Sequence, residues 1–277
     1  MNISMIESII YGLICGFAEF LPVSSTAHRT ILNCLFGVDS EEPLMVMFLH
    51  IGTLIALVVS SRTLLQRLQK ELKIKQVARR RSRRQPDELA ILDMSFVKTA
   101  CIVMLLGFVF YFKAAAWNGD LPMIAIFLVI NGIILHVPLY LPKGNKDARS
   151  MSRLDAIAVG IGNALTVVPG LSRTGISTSF CIARGASPQN AYKWSLLLGI
   201  PALAVLIVMD FVGVVTAGLG QLDFPFILQC IMCGCAAYLG ATGGISLVKM
   251  VVHKSGIENF SYYCWGAALF TFILYMI

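Results

Sequence analysis

The sequence predicts an all-α integral membrane protein with six transmembrane helices plus two re-entrant helical hairpins, arranged as inverted-topology repeats. Three observations predict this class. The 277 residues are 57% hydrophobic and only 13% charged, with a mean hydropathy of +0.78. Apolar runs of bilayer-spanning length recur along the chain. Two further apolar stretches are each interrupted by a cluster of polar residues. A soluble domain of this length is far less apolar.

The six predicted transmembrane segments follow from apolar runs, since a helix needs about 20 such residues to cross a bilayer. The segments are residues 44–60, 94–112, 121–141, 193–216, 226–248 and 260–277. The first ten residues carry no Lys or Arg and do not resemble a cleavable signal peptide. We therefore expect insertion through uncleaved membrane segments.

The distribution of basic residues predicts the orientation. Ten of the 22 Lys and Arg residues lie between Arg62 and Arg84. The basic loops 62–93 and 142–155 are therefore predicted to be cytoplasmic, where they would contact anionic lipid headgroups. No aromatic stacking pattern accompanies this charge, so we expect no nucleic-acid partner. With the less basic connections placed outside, both termini are predicted to lie outside.

Two apolar stretches, 5–36 and 156–183, remain unplaced. The second is flanked by basic residues at both ends, so it is predicted to turn back within the membrane. The first either returns to its starting side or crosses once. The pattern simplifies if residues 1–141 and 142–277 are two repeats, each a re-entrant hairpin followed by three spans. Repeats inserted in opposite directions place a polar site near the bilayer midplane.

The first polar cluster lies in FAEFLPVSSTAH. Pro22 is expected to end one helix, and hydroxyl residues begin the next. These hydroxyl residues are Ser24, Ser25 and Thr26. Free N–H groups at a helix start bind anions, and Glu19 and His28 flank the turn. The alternative is that the hydroxyls only cap a helix, but a carboxylate at membrane depth indicates function.

The second polar cluster lies in PGLSRTG. Gly170 and Gly175 permit a tight turn and a close backbone approach. Two hydroxyl residues, Ser172 and Thr174, flank Arg173. A guanidinium among hydroxyls and free amides suits phosphate oxygens. The alternative is a structural ion pair with Glu19, and both interpretations hold if substrate displaces the pairing.

The cysteine cluster and His50 are predicted to serve packing. Cys230, Cys233 and Cys235 lie among small residues that favour close helix contact, without acidic or His neighbours. His50 is predicted to be a hydrogen-bonded packing residue, with a cavity-facing position as the alternative. Asn163 is expected to satisfy backbone groups near the second turn.

Four segments together resemble the undecaprenyl-diphosphate phosphatases of the bacitracin-resistance type: GFAEFLPVSSTAH, FLHIGTLIALVV, PGLSRTG and IENFSYYCWGAALF. The resemblance runs nearly end to end. It implies a bacterial inner-membrane enzyme that hydrolyses undecaprenyl diphosphate to undecaprenyl phosphate, recycles the carrier for cell-wall synthesis and confers bacitracin resistance. It also implies a divalent cation, Mg²⁺ or Ca²⁺, and an active site open to the outer face. A homodimer is left open.

The resemblance assigns functional positions to Glu19, Ser25, His28, Ser172 and Arg173. Glu19 would bind the metal or orient the nucleophile. His28 would be a general base or the nucleophile, with Ser25 and water as alternatives. The family usually has Glu or Gln at the position of Cys15, four residues before Glu19. This departure keeps a second class of function open, a polyprenyl-phosphate transporter without hydrolysis.

Overall fold

The computed structural model describes residues 3–38, 41–78, 87–142, 144–217, 223–253 and 256–277. These ranges are predominantly helical and contain no β-strand. The helices are α1 (Met5–Phe20), α2 (Ser25–Leu35), α3 (Pro43–Ser60), α4 (Arg62–Ala78), α5 (Glu88–Gly107), α6 (Tyr111–Ala115), α7 (Leu121–His136), α8 (Arg153–Ala164), α9 (Arg173–Ala183), α10 (Pro188–Ala217), α11 (Phe224–His253) and α12 (Phe260–Met276). Short 3₁₀ turns extend α5, α7 and α8 and precede α12.

Five of these helices are long and apolar enough to cross a membrane, so the protein is a multi-pass helical membrane protein. They are α3, α5, α7, α10 and α11, where α5 and α7 are counted together with the 3₁₀ turns that extend them. The sixth predicted segment, 260–277, forms α12, which has 17 residues and lies at the short limit for a crossing.

Helix boundaries differ from the predicted spans where polar residues lie inside a helix. Helix α5 begins at Glu88 rather than at 94, because the Asp87 carboxylate accepts hydrogen bonds from the first-turn amides. Within it, Asp93 is buried and accepts from Lys193 Nζ at 2.7 Å and Trp194 Nε1 at 2.9 Å. The partner helix α10 likewise starts five residues before the predicted span, at Pro188. Paired charges extend these helices beyond their apolar sequence.

The prediction of a loop over residues 62–93 is wrong for Arg62–Ala78, which forms helix α4. Leu68 and Glu71 are buried on one face of it, at the i, i+3 spacing of helix neighbours. The abundance of basic residues concealed this amphipathic pattern. Residues 79–86, which carry five of the arginines, lie outside the described residues, as does Lys143 of the second basic loop.

Both predicted hairpins consist of two helices joined by a non-helical break. Helices α1 and α2 flank residues 21–24, here called the first break. Helices α8 and α9 flank residues 168–172, which follow a 3₁₀ turn and are called the second break. Helix α8 begins three residues before the predicted 156, because Ser152 and Asp155 form a reciprocal capping box.

Small residues let helix α1 lie directly against α11. A methyl group added at Gly12 would lie 2.2 Å from the Cys233 carbonyl oxygen, and one at Gly16 would lie 2.3 Å from the Ala237 oxygen. The predicted packing role of the cysteine-containing segment is therefore confirmed for Cys233. Other main pairings are α3 with α10 and α11, α5 with α8, and α7 with α12. These contacts bring the two breaks together.

Candidate functional site

The first break is held in a strained conformation. Ser24 has φ 66°, the only positive φ of a non-glycine residue in the described part of the chain. Its Oγ accepts a hydrogen bond from Ala27 N at 3.3 Å and so caps helix α2. Such a conformation costs about 1–3 kcal/mol and persists where surrounding contacts enforce it. Pro22 lies within this break, as predicted, and α1 ends at Phe20.

The second break depends on a glycine and on a serine cap. Gly170 has φ 92°, and an added Cβ would lie 2.6 Å from the Phe127 side chain. Ser172 Oγ accepts from Gly175 N at 3.1 Å at the start of α9. A Cβ on Gly175 would lie 3.0 Å from Pro22 Cβ, so glycine lets α9 approach the first break.

Hydrogen bonds fasten the two breaks to each other. The buried Asn131 of α7 donates from Nδ2 to Pro22 O at 3.0 Å and accepts from Ser172 N at 2.9 Å. Ser172 Oγ donates to Leu21 O at 3.1 Å, and Thr174 Oγ1 donates to Glu19 O at 3.3 Å. The hydroxyls predicted to bind substrate at the second break therefore bind the backbone of the first hairpin.

A charged triad joins the hairpins. Arg173 Nη2 donates to Glu19 Oε1 at 2.7 Å, and the other carboxylate oxygen of Glu19 accepts a short hydrogen bond from Ser25 Oγ. Arg173 Nη1 also donates to Gly199 O at 3.3 Å. Glu19 is 8% exposed. Three predicted site residues from two distant segments thus meet at one point, and the predicted ion pair is present.

The triad opens into a small cleft with a volume of about 80 Å³, called the central cleft. Of the predicted residues, those lining it are Glu19, Ser24, Ser25, Thr26, Ser172 and Arg173. Thr174, Gly170 and Gly175 do not line it; they build the breaks behind it. Hydroxyl and charged side chains thus share the lining of the cleft with apolar ones such as Met104 and Leu206.

His28 lies away from the central cleft. Its Nδ1 is 2.8 Å from Ser24 O, and its Nε2 is 2.7 Å from the Tyr263 hydroxyl of α12. The two rings are parallel, with centroids 5.8 Å apart. Both ring nitrogens therefore have partners, and the expected meeting of the imidazole with Arg173 at one phosphate group is not found.

Three further polar residues line the central cleft. His50 Nδ1 is 2.6 Å from Asp210 Oδ2, and both residues are buried, so His50 is both hydrogen-bonded and cleft-facing. Asn163 donates to Ser177 Oγ and to Val159 O of its own helix, each at 3.0 Å, rather than to backbone groups near the second turn. Arg29 of α2 is a second buried cation at the cleft. Sequence reasoning passed over Arg29 and Asp210, although each is a charge inside a helix of an apolar protein.

The residues around Glu19 do not fit the divalent cation that the resemblance implies. Mg²⁺ and Ca²⁺ require several oxygen ligands, whereas Glu19 is the only carboxylate among the described residues that line the cleft, and it is hydrogen-bonded to Arg173 and Ser25. Position 15 holds a fully buried thiol, a ligand that suits softer metals. No metal-suited group of three His, Cys, Asp or Glu side chains occurs within the described ranges.

Comparisons with known proteins agree with the motifs. Residues 8–270 match the family described as bacitracin resistance protein BacA. The chain is 30% identical to an undecaprenyl-diphosphatase of Carboxydothermus hydrogenoformans, over 94% of this chain and 93% of the relative. It is 29% identical to one of Methanobrevibacter smithii, over 97% of each chain. It is 28% identical to undecaprenyl-diphosphatase 1 of Shouchella clausii, over 98% of this chain and 96% of that one. With a match that covers nearly all of its length, the chain belongs to the bacitracin resistance protein BacA family.

Proposed function

We propose that the protein is a membrane phosphatase that hydrolyses undecaprenyl diphosphate to undecaprenyl phosphate and inorganic phosphate. The names of its relatives support this substrate. The observation that carries the proposal is the Arg173–Glu19–Ser25 triad at the wall of the central cleft. A guanidinium for phosphate, a carboxylate and a hydroxyl are the groups that phosphoryl transfer requires.

The geometry favours Ser25 as the nucleophile. Its Oγ–H already points at the Glu19 carboxylate, which can take the proton as the oxygen attacks. The terminal phosphorus forms a bond to Ser25 Oγ, its bond to the bridging oxygen breaks, and undecaprenyl phosphate leaves with the electron pair. His28 has both ring nitrogens hydrogen-bonded, one to Ser24 O and one to the Tyr263 hydroxyl, and does not line the central cleft, and so is less suited to this step.

The second step returns the enzyme to its starting state. Glu19 releases the first proton to solvent, and water then attacks the phosphoserine. One proton of that water passes through Glu19 to Ser25 Oγ, the serine–phosphorus bond breaks, and inorganic phosphate leaves. Arg173 stabilises the negative charge on the transferred group in both steps. The prenyl chain would lie against apolar helix faces, since a polar wall offers hydrocarbon nothing.

The test is phosphate release from a prenyl diphosphate by the purified full-length protein in detergent. We expect Ser25→Ala and Glu19→Gln to lower kcat by about a hundredfold or more. Arg173→Lys is expected to lower it by about a hundredfold, because an ammonium lacks the planar fork. Arg149→Lys, at an exposed residue paired with Glu88, is the matched control and should leave turnover unchanged.

Trapping identifies the nucleophile. Rapid quenching in SDS at neutral pH, where both phosphoserine and phosphohistidine survive, with substrate labelled in the terminal phosphate should leave label on wild type and on His28→Ala, but not on Ser25→Ala. Label lost only in His28→Ala would assign the step to the imidazole. Wild type that binds a prenyl phosphate and moves it between leaflets without phosphate release would contradict the proposal and indicate a transporter.

We also propose that the enzyme lies in the bacterial cytoplasmic membrane as two inverted repeats, with six crossings, two re-entrant hairpins and both termini outside. The pairing of α1 with α11 and of α8 with α5 supports this, because these helices are equivalent partners in the two repeats. In a Cys34→Ser background, a membrane-impermeant thiol reagent added to spheroplasts should label Asp120→Cys but not Asp147→Cys. The reverse pattern would contradict the orientation.

A further inference from the structure

The second arginine of the central cleft has hydrogen-bonding capacity that the protein does not use. Arg29 is 7% exposed and lines the cleft. Its Nε lies 3.4 Å from Glu41 Oε1. Its Nη1 is buried and has no hydrogen-bond partner among the residues that the structure describes. A buried guanidinium with an unbonded edge is costly unless a ligand completes it.

The position of Arg29 directs it toward the same ligand as the triad. It follows Ser25 by four residues on α2, so the two side chains share one helix face. Ser25 is bonded to Glu19, and Glu19 to Arg173. The two guanidiniums therefore border one cleft, which the proposed nucleophile also lines.

The two arginines of the cleft differ in how many of their donors are used. Arg173 donates from Nη2 to Glu19 and from Nη1 to Gly199 O, so both of its Nη groups have partners within the protein. Arg29 contacts one carboxylate, that of Glu41, and through Nε only, in the described part of the chain. Its Nη groups remain suited to two phosphate oxygens. Cys15 adds no carboxylate that would compete for them.

We propose that Arg29 binds a phosphate group of the diphosphate directly, and that with Arg173 it forms a two-arginine clamp that replaces a divalent cation in this protein. The inference rests on the proposed function for the identity of the ligand. It accounts for a donor set that does not fit a metal and for a buried guanidinium edge that lacks an acceptor.

The experiment measures binding and turnover separately. Calorimetry gives the Kd of inorganic pyrophosphate for the purified full-length protein in EDTA and in Mg²⁺, corrected for binding of the metal to pyrophosphate. Phosphate release from a prenyl diphosphate gives kcat and KM under the same conditions. The variants are Arg29→Gln, Arg29→Lys and Glu41→Gln, with Arg149→Gln as the exposed control, and the unfolding temperature of each is recorded.

We expect wild type to bind pyrophosphate in EDTA, with less than about a threefold change in Kd on adding Mg²⁺. Arg29→Gln should raise the Kd and the KM about tenfold to a hundredfold, as expected for lost charge-assisted hydrogen bonds. Arg29→Lys should retain part of the affinity. Glu41→Gln should leave the affinity unchanged or tighten it, because it removes the only acidic group in contact with Arg29 within the described residues.

Two results would overturn the inference. One is wild-type binding that requires Mg²⁺. The other is unchanged Kd in Arg29→Gln, with unfolding temperatures lowered equally in Arg29→Gln and Glu41→Gln, which would assign Arg29 to a structural ion pair. Should Arg29→Gln not fold, Arg29→Lys and the wild-type metal comparison decide. Pyrophosphate binding through Arg29 without any phosphate release would leave this inference intact and refute the phosphatase instead.

Discussion

Asn131 is the residue whose removal should most directly separate the two breaks. Asn131→Leu keeps the side-chain volume but removes the hydrogen bonds to Pro22 O and from Ser172 N. Each buried backbone group left without a partner costs about 1–3 kcal/mol. Cys264 Sγ lies 3.5 Å from Pro22 O and offers only weak compensation. We therefore expect a loss of roughly 2–5 kcal/mol in the free energy of unfolding.

The assay for Asn131 combines denaturant unfolding in micelles with phosphate release. Turnover should fall by about tenfold or more even where the variant is fully folded, because the triad spans the two breaks that Asn131 holds. The stability and turnover of Asn131→Asp should lie between those of the wild type and of Asn131→Leu, since this variant keeps an acceptor for Ser172 N and loses the donor to Pro22 O. Asn145→Leu, at an exposed asparagine, is the control. Unchanged stability and turnover in Asn131→Leu would refute the reasoning.

Three further predictions concern packing, a buried charge and the divergent thiol. Gly16→Ala should lower the free energy of unfolding by about 1–3 kcal/mol, because the added methyl group would meet the α11 backbone. Gly266→Ala is the control and should have no such effect, since nothing lies within 4 Å of the added group. Equal unfolding temperatures for the two variants would contradict this prediction. Asp93→Asn should lower the free energy of unfolding by about 1–3 kcal/mol, because it leaves the ammonium of Lys193 without its carboxylate. Tryptophan fluorescence during denaturant unfolding measures this change, and an unfolding curve that coincides with that of the wild type would contradict it. Cys15→Glu should weaken the binding of pyrophosphate in EDTA, as measured by calorimetry, because the new carboxylate would pair with the guanidinium of Arg29. Tighter binding in EDTA would contradict the two-arginine clamp.

The length of the apolar runs predicted most of the helices. The predicted helix limits were wrong where a helix contains charged residues. The limits of α3 agree with its predicted span to one residue, because that helix contains no charged residue. Apolar length could not predict helix α4, because five of its 17 residues are Lys or Arg. Helix α5 was shortened because Asp93 was treated as the end of an apolar run, whereas Lys193 pairs with it in the folded protein.

Sequence patterns predicted which polar and charged residues form the site, but they did not predict the directions in which the side chains point. Polar residues in apolar surroundings identified Glu19, Ser25 and Arg173, which meet. Helix α2 follows a residue with positive φ, Ser24, which no sequence pattern signals, and within this helix His28 contacts Tyr263 rather than the central cleft. A single asparagine within an apolar helix likewise gave no sign that it links both breaks.

The partners in the charged triad are far apart in the chain, and this has a consequence for biogenesis. Arg173 follows Glu19 by 154 residues. At about 5–20 residues per second, roughly 8–30 s of translation separate them. During that interval the nascent first hairpin carries an acid whose cationic partner has not yet been made. A ribosome-bound chain truncated before the second hairpin should therefore hold this segment only loosely in the bilayer, and arrival of the arginine completes its insertion.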